Sequence, residues 1–321
     1  MLAPLLAAAL AATPAVEPLG IALEGYPYPY PVRFLPATVD GQDLRMAYMD
    51  VPPSGPPNGK AVVLLHGKNF YGSYWASTIE ALSAAGFRVV APDQIGFGKS
   101  SKPDVHYTFE FLAEHTKRLL DALAIPRAIV VGHSMGGMLA VRFALLYPEA
   151  TAALVLENPI GLEDYREKVP YASLDATYRT ALSPTREGVE RFYRSYFARW
   201  RDDFGLYAEL AWRQTLGGEW PRAAWASALT YQMIYTQPVV QDLGRLRVPT
   251  LLVIGQEDRT TLGRGSLPKD VLATLGQYPE LGRRAARSIH GARLVELEGV
   301  GHVPHLEAPE RFQAALLEFL R

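Results

Sequence analysis

Residues 128–147 read AIVVGHSMGGMLAVRFALLY. A run of buried-type apolar residues leads into GHSMG (132–136), and an apolar segment of helix length follows directly. The five residues fit Gly-x-Ser-x-Gly, which in this context predicts a sharp turn from a strand to a helix with Ser134 at its apex. Gly132 and Gly136 lack side chains that would collide in so tight a turn. Ser134 is therefore the candidate nucleophile, and the alternative is a serine that only caps the helix.

Short apolar runs of the same kind recur along the chain, separated by amphipathic stretches. Continuous Val, Ile and Leu runs predict strands that are buried on both faces of a sheet. Alternation of such strands with helices predicts an α/β fold with a mostly parallel central sheet flanked by helices. An Asp-Gly turn at 40–41 predicts a hairpin of strands 32–39 and 43–50. The other predicted strands are 61–67, 88–93, 128–134, 152–158, 250–256 and 292–299, and the predicted helices are 73–85, 108–124, 135–147 and 306–320.

The alternation stops between residues 159 and 245. This stretch holds 15 of the 34 aromatic residues, with 11 basic and 11 acidic residues, and helix-forming residues dominate it. We interpret it as a helical cap inserted over the sheet, in which most aromatic residues pack a small core of the cap's own and a few line a cavity. The predicted core domain is then formed by residues 17–158 and 246–321.

Residues 1–16, MLAPLLAAALAATPAV, carry no charged side chain. The segment is too short to span a bilayer but has the length of a signal-peptide apolar region, and Ala9-Leu10-Ala11 offers a cleavage site. A basic start is missing, because Arg33 is the first Lys or Arg. The sequence favours a periplasmic or secreted protein over a cytoplasmic one, with no integral membrane span.

The composition excludes several classes of function. The 32 Lys and Arg residues balance 33 Asp and Glu residues, for a net charge of −1, which argues against a nucleic-acid partner. The absence of Cys excludes disulfides, thiolate nucleophiles and cysteine-ligated metals. We therefore expect no cofactor and a small-molecule substrate, while the oligomeric state is not readable from the sequence.

A serine hydroxyl needs a base that removes its proton and a carboxylate that orients the base. His302 follows the last predicted strand and is favoured over His305, which lies at the start of the last helix. Asp258 leaves the strand TLLVIG and is favoured over Glu257. A metal site built from the two histidines and a nearby glutamate is not expected, because Pro304 breaks the helical register that would align its ligands.

The order Ser134, Asp258, His302 on successive strand ends, with an insertion after the strand that follows the nucleophile's helix, resembles the α/β-hydrolase superfamily. The resemblance covers residues 30–321 and implies a serine-nucleophile member with a helical cap. It also implies that the backbone N–H groups of Lys68 and Met135 form the oxyanion hole.

Two loops carry further parts of the resemblance. The motif His66-Gly67-Lys68 corresponds to the family's His-Gly-x loop, in which His66 is expected to be structural. The stretch DQIGFGKS (93–100) is similar to the family's Asp-x-Arg-Gly-x-Gly-x-Ser loop, except that Gln94 replaces the usual Arg. That departure concerns the scaffold of the loop rather than the catalytic set. The same stretch lacks the glycine spacing of a P-loop or a dinucleotide-binding motif.

The nucleophile narrows the chemistry that the resemblance implies. Epoxide hydrolases and haloalkane dehalogenases carry Asp at this turn, so Ser134 excludes their reactions here. The leading hypothesis is hydrolysis of a small to medium, largely neutral carboxylic ester through an acyl-enzyme. Alternatives are a carbon–carbon bond hydrolase of ring-cleavage products, a prolyl aminopeptidase, a cofactor-free perhydrolase or haloperoxidase, and a noncatalytic ligand-binding member. An aminopeptidase needs carboxylates for a free amine, and the candidates are Glu163, Asp164, Glu209 and Glu219.

Overall fold

The computed structural model describes residues 16–321. The predicted signal segment, except for Val16, lies outside the described residues. Eight strands form one sheet in the order β1-β2-β4-β3-β5-β6-β7-β8. Strands β1, β2 and β4 pair antiparallel, and all other neighbouring strands pair parallel. The strands are β1 (Val32–Val39), β2 (Gln42–Val51), β3 (Ala61–Leu65), β4 (Arg88–Pro92), β5 (Ala128–His133), β6 (Thr151–Glu157), β7 (Thr250–Gly255) and β8 (Arg293–Leu297).

Helices cover both faces of the sheet. The helices are α1 (Ala76–Ala84), α2 (Phe109–Ala122), α3 (Met135–Leu146), α4 (Leu174–Leu182), α5 (Arg186–Arg194), α6 (Gly205–Thr215), α7 (Trp220–Thr236), α8 (Lys269–Leu272), α9 (Tyr278–Ser288), α10 (Pro304–Glu307) and α11 (Pro309–Leu320). Successive residues of a strand point to opposite faces. On β3, Val62 and Leu64 accordingly pack with α1 and α11, whereas Val63 and Leu65 pack with α2, α3 and α9. The predicted α/β fold with a mostly parallel, helix-covered sheet is confirmed.

The predicted hairpin forms with the register that its turn dictates. Val39 pairs with Gln42, which leaves Asp40 and Gly41 as a two-residue turn. Both turn residues have positive φ, +47° and +72°. Two residues of that conformation form the turn whose twist matches the flanking strands, and Asp-Gly is a preferred sequence for it.

Helices α4 to α7 lie between β6 and β7, within the predicted insertion. Several aromatic residues of this stretch pack on one another, as in the Phe197–Phe204 stack, while Tyr193 and Tyr196 also contact Phe70 in the loop after β3. Tyr193, Tyr196 and Phe204 belong to the same apolar cluster as Val62 and Phe312 of the sheet and α11. Of the buried residues of α7, those in the cluster on the other face of the sheet are Ala226, Met233, Ile234 and Tyr235. Because these helices share the apolar clusters of the sheet, their position relative to the strand ends is set by that common packing.

The residues before the sheet form an N-terminal arm (residues 17–30) without regular secondary structure. The Leu19 N–H donates to the carbonyl of Arg213 on α6 at 2.9 Å, and the Tyr28 hydroxyl donates to Asp93 Oδ2 at 2.7 Å. The arm thus links α6 to the loop after β4. No helix within residues 16–321 has the length and hydrophobicity needed to cross a membrane.

Candidate active site

The turn between β5 and α3 places Ser134 in strained backbone. Its φ of +56° lies in the left-handed region, which a residue with a side chain rarely adopts. Glycine is required on both sides because a Cβ on Gly132 would overlap the carbonyl of Gly136, and a Cβ on Gly136 would overlap the carbonyl of Leu65. The turn consequently packs directly on the end of β3 and holds the Ser134 hydroxyl at the carboxyl edge of the sheet.

The three residues predicted to act together form a hydrogen-bonded series with His302 in the middle. Ser134 Oγ is 2.9 Å from His302 Nε2, and His302 Nδ1 is 2.7 Å from Asp258 Oδ2. Only 7% of Ser134 and 1% of His302 is exposed. In this arrangement the hydroxyl donates to Nε2 and the Nδ1–H donates to the carboxylate, which fixes one imidazole tautomer. A buried imidazole so oriented can accept the serine proton and return it to a leaving group.

The competing residues lie elsewhere. His305 is fully buried behind the site, with Nδ1 2.9 Å from Glu157 Oε1 and its ring stacked on Trp75. The Glu257 side chain is exposed. Glu307, the glutamate near the two histidines, accepts from the Gly301 N–H at 2.8 Å. Among residues 16–321, no group of three or more His, Asp or Glu residues is arranged to hold a metal ion.

The two predicted oxyanion donors lie next to residues at the serine turn: Met135 directly follows Ser134, and Lys68 follows Gly67, where an added Cβ would lie 3.2 Å from the Ser134 Cβ. Lys68 follows the end of β3, and Met135 is the first residue of α3. Within the described part of the chain, neither N–H donates to a backbone carbonyl. Free N–H groups at a helix start and a neighbouring loop can stabilise a negatively charged oxygen next to the serine.

The Lys68 side chain connects the loop after β3 (residues 66–71) to α7. Its ammonium donates to Ser227 Oγ at 3.0 Å and to Thr230 Oγ1 at 2.8 Å, and it is not within ion-pair distance of a described carboxylate. Burial lowers the pKa of this amine to about 7. The loop is braced on its other side by His66, whose Nε2 accepts from the Gln94 N–H at 2.9 Å. His66 therefore has the structural position that the sequence predicts.

Sequence reasoning did not identify Asn158 as a support for Asp258. Asn158 Nδ2 donates to Asp258 Oδ2 at 2.7 Å, and its Oδ1 accepts from the Gly255 N–H at 2.9 Å. The Thr260 N–H donates to the other carboxylate oxygen at 2.8 Å. A signal was available, because Asn158 is a polar residue immediately after a buried strand whose end faces the same sheet edge.

His133 is a second supporting residue that was not predicted from the sequence. His133 is fully buried, with Nδ1 3.0 Å from the Tyr74 hydroxyl and Nε2 2.8 Å from the carbonyl oxygen of His302. The Tyr74 hydroxyl also accepts from the Gly67 N–H at 3.0 Å. Burial holds the pKa of His133 well below its usual range, so the ring is neutral and donates through Nε2. One chain of hydrogen bonds thus connects the loop after β3, the turn that holds Ser134 and the loop that holds His302.

Comparison with known proteins shows a matching family and similar hydrolases. A family model described as "Alpha/beta hydrolase family" matches residues 62–315. A 2-hydroxy-6-oxononadienedioate/2-hydroxy-6-oxononatrienedioate hydrolase from Burkholderia vietnamiensis is 30% identical over 90% of this chain and 95% of its own length.

Solved structures add two further similarities. A probable hydrolytic enzyme from Pseudomonas aeruginosa PAO1 is 48% identical, with a TM-score of 0.93 over 95% of this chain and 99% of its own. A thermophilic esterase from Thermogutta terrifontis is 25% identical, with a TM-score of 0.67 over 90% of this chain and 98% of its own. The similarities therefore span nearly the whole chain and include both an esterase and a hydrolase of 2-hydroxy-6-oxononadienedioate.

Proposed function

The chain belongs to the alpha/beta hydrolase family, and we propose that it is a serine hydrolase that cleaves a carboxylic ester through an acyl-enzyme. The observation that carries the proposal is the continuous hydrogen-bonded series from Ser134 Oγ through His302 to Asp258, with distances of 2.9 and 2.7 Å. A serine hydroxyl so connected can be deprotonated as it attacks a carbonyl carbon. The hydrolytic class of the family agrees with this assignment.

The steps of the reaction follow from the positions of these groups. Ser134 Oγ attacks the ester carbonyl while His302 Nε2 takes its proton, and Asp258 stabilises the resulting imidazolium. The Lys68 and Met135 N–H groups stabilise the tetrahedral oxyanion, and loss of one such donor typically costs about 3–4 kcal/mol of activation free energy. The imidazolium protonates the departing alkoxide, leaving Ser134 acylated. A water molecule, deprotonated by His302, then attacks the acyl carbon. The bond from Ser134 Oγ to that carbon breaks, the imidazolium returns its proton to Oγ, and the acid is released.

The surroundings of the site support a neutral substrate with an alkyl or aromatic portion. The Tyr196 ring stacks on the His302 imidazole with 4.9 Å between ring centroids. Tyr278 lies 6.3 Å from the same imidazole on another side. Aromatic faces next to the reacting atoms favour apolar substrate groups through burial of their surface.

Carbon–carbon bond hydrolysis of a ring-cleavage product is the second candidate. It is favoured by the 30% identity, over 90% of this chain, to a hydrolase named for such a substrate. No comparable observation favours an aminopeptidase. Of its candidate carboxylates, Glu163 accepts from the Gly276 N–H, Asp164 pairs with Arg166, and Glu209 pairs with Arg186.

Assays with p-nitrophenyl acetate and butyrate test the proposal. We expect turnover that falls at least about a thousandfold in Ser134→Ala, because no other group replaces the nucleophile. Fluorophosphonate labelling followed by peptide mapping should modify Ser134 and no other residue. A wild-type rate in Ser134→Ala would defeat the assignment, and absence of a Ser134 adduct would favour a noncatalytic ligand-binding protein.

Two matched comparisons define the base and the bond that is cleaved. His302→Ala should lose activity as Ser134→Ala does. His305→Ala should retain activity, because the contacts among Ser134, His302 and Asp258 remain. The reverse result would assign the base to His305. A 2-hydroxy-6-oxo-dienoate assayed beside the esters distinguishes the two reactions. Specificity, expressed as kcat/KM, higher for the dienoate than for every ester would select carbon–carbon bond hydrolysis.

A further inference from the structure

Tyr196 makes two contacts with the proposed catalytic histidine from outside the triad. Its carbonyl oxygen accepts from the His302 N–H at 2.6 Å, and its ring stacks on the imidazole with an interplanar angle of 27°. Only 8% of Tyr196 is exposed. The residue lies just after α5, within the stretch between β6 and β7 that the sequence assigns to the cap. One residue of that stretch therefore holds both the backbone and the ring of His302.

The same side chain reaches the loop after β3, which carries the proposed oxyanion donor Lys68. The Tyr196 hydroxyl accepts from Asn69 Nδ2 at 2.7 Å, and Asn69 directly follows Lys68. The Tyr193 hydroxyl donates to the Asn69 carbonyl at 2.7 Å, which fixes this contact from a second side. The Tyr196 ring consequently spans the distance from His302 to the loop that carries a proposed oxyanion donor.

Glu307 links the backbone after Tyr196 to the loop that holds His302. Its carboxylate accepts from the Gly301 N–H at 2.8 Å and from the Arg199 N–H at 3.1 Å. Gly301 is closely packed here, because a Cβ would come within 2.5 Å of the Tyr196 carbonyl oxygen and 2.7 Å of the Ala198 nitrogen. The two segments thus form one hydrogen-bonded unit with little freedom to separate.

We propose that Tyr196 is a positioning residue for His302. The imidazole can then accept the Ser134 proton only when this part of the cap packs against the edge of the sheet. The inference rests on the proposed function, because it assigns His302 the role of base. A ring stacked on the imidazole restricts its rotation away from Ser134. The π face also favours the imidazolium that forms when the serine proton is transferred.

Several other groups contact the His302 imidazole and can influence its protonation besides the Tyr196 ring. Asp258 hydrogen-bonds Nδ1, Ser134 hydrogen-bonds Nε2, and the rings of His133 and Tyr278 lie 4.8 and 6.3 Å from the imidazole. The Glu157–His305 pair lies behind His133. Since these neighbours remain in a Tyr196 variant, a change in the pH profile reports the loss of the stacked ring.

Tyr196→Leu and Tyr196→Phe separate the ring from the hydroxyl. For Tyr196→Leu we expect kcat on p-nitrophenyl butyrate to fall about 10- to 100-fold with KM changed less than about 3-fold, because transition-state geometry is lost rather than substrate binding. The acid limb of the kcat/KM profile should shift down by about half a pH unit, as the imidazolium loses its π contact. Tyr196→Phe keeps the ring, so its acid limb should stay in place while kcat falls less.

Phe204→Leu is the matched control. Phe204 is a buried aromatic residue of the same stretch, stacked on Phe197 with 3.9 Å between ring centroids. Its truncation should lower the unfolding midpoint without moving the acid limb. The rate of fluorophosphonate labelling of Ser134 provides a readout that does not depend on the substrate, and it should fall in Tyr196→Leu as kcat does.

The outcomes separate the two proposals. An unchanged acid limb and labelling rate in folded Tyr196→Leu, as judged by circular dichroism, would overturn the positioning role. An acid limb that moves equally in Phe204→Leu would do the same. Wild-type turnover in Ser134→Ala would instead overturn the proposed function. Loss of activity in Ser134→Ala, together with a wild-type acid limb and labelling rate in Tyr196→Leu, would support the serine mechanism and contradict only the positioning role of Tyr196.

Discussion

Glu157 ends β6 with its side chain fully buried, where it accepts from the His305 backbone N–H at 2.7 Å and contacts His305 Nδ1 at 2.9 Å. Burial raises the pKa of this carboxyl from 4.5 to about 7. Burial also holds the pKa values of His133 and His305 well below their usual range, so both rings stay neutral near pH 7. The folded protein therefore keeps a proton on Glu157 at pH values where the unfolded chain has released it.

This proton gives Glu157→Gln a pH-dependent effect on stability. Below pH 4.5 the carboxyl is protonated in both states, and from pH 4.5 to about 7 the folded state alone retains the proton, so its stabilising contribution is lost as the pH rises. Glutamine cannot ionise. We expect the variant's free energy of unfolding, relative to wild type, to rise by about 1–3 kcal/mol between pH 5 and pH 8, as measured by urea denaturation.

Glu298→Gln, at an exposed position after β8, controls for the loss of one negative charge. Its free energy of unfolding relative to wild type should change little between the two pH values. Parallel pH profiles for wild type and Glu157→Gln would show that the buried carboxyl binds its proton no more tightly in the folded protein than in the unfolded chain.

Individual residues differ in how far the sequence can predict their role. Ser134, Asp258 and His302 each follow a recognisable strand, and parallel strands bring their carboxyl ends to one edge, so their proximity follows from local patterns. Tyr196 has no such signal, because it is one aromatic residue among 15 in a helical stretch. Its contact with His302 arises only from the way α5 and the following loop pack on the sheet.

At the scale of elements, the N-terminal arm connects α6 to the loop after β4 through Tyr28. The Tyr28 hydroxyl donates to Asp93 Oδ2 at 2.7 Å, and its ring stacks on Tyr71 with 6.0 Å between centroids. Asp93 also accepts from the Gly72 and Lys99 N–H groups, both at 2.7 Å. The carboxylate thus joins the arm to two loops of the core.

Tyr28→Phe removes one donor from this carboxylate and keeps the stacked ring. Because a hydrogen bond to a charged group contributes about 1.5–3 kcal/mol, we expect a loss of about that size in the free energy of unfolding, measured in urea. Tyr30→Phe is the matched control, since the Tyr30 hydroxyl makes no hydrogen bond with residues 16–321. Equal stabilities for the two variants would mean that the arm is not held through Asp93.

Elements with strong periodic patterns were predictable, and those fixed by tertiary contacts were not. All eight strands match predicted segments, and so do the sheet-flanking helices α1, α2, α3, α10 and α11, because their apolar runs or amphipathic spacing are visible in the sequence. The stretch 262–291 received no role from its sequence. In the structure it contains α8 and α9, and α9 buries Tyr278 and Leu281 against the sheet. Its Gly- and Arg-rich composition obscured that apolar face.

At the scale of the whole molecule, the proposed cap (159–245) and the core share their buried surfaces. Tyr193 and Phe204 belong to the apolar cluster on one face of the sheet, and Met233 and Tyr235 belong to the cluster on the other. Polar contacts add to this packing. Lys68 bonds Ser227 and Thr230 on α7, and the Gln237 side chain accepts from the Phe109 N–H at the start of α2 at 2.8 Å.

A cap that buries its apolar residues against the sheet cannot unfold alone without exposing both surfaces. We therefore expect a single cooperative transition in urea, in which tryptophan fluorescence and far-ultraviolet circular dichroism have coincident midpoints. Fluorescence reports mainly on the cap, because Trp200, Trp212, Trp220 and Trp225 lie there and Trp75 alone lies in the core. Trp75→Phe makes that signal specific to the cap. A fluorescence midpoint clearly below that of circular dichroism in this variant would instead identify residues 159–245 as an independently unfolding domain. The orientation of His302 would then depend on the local folding equilibrium of the cap.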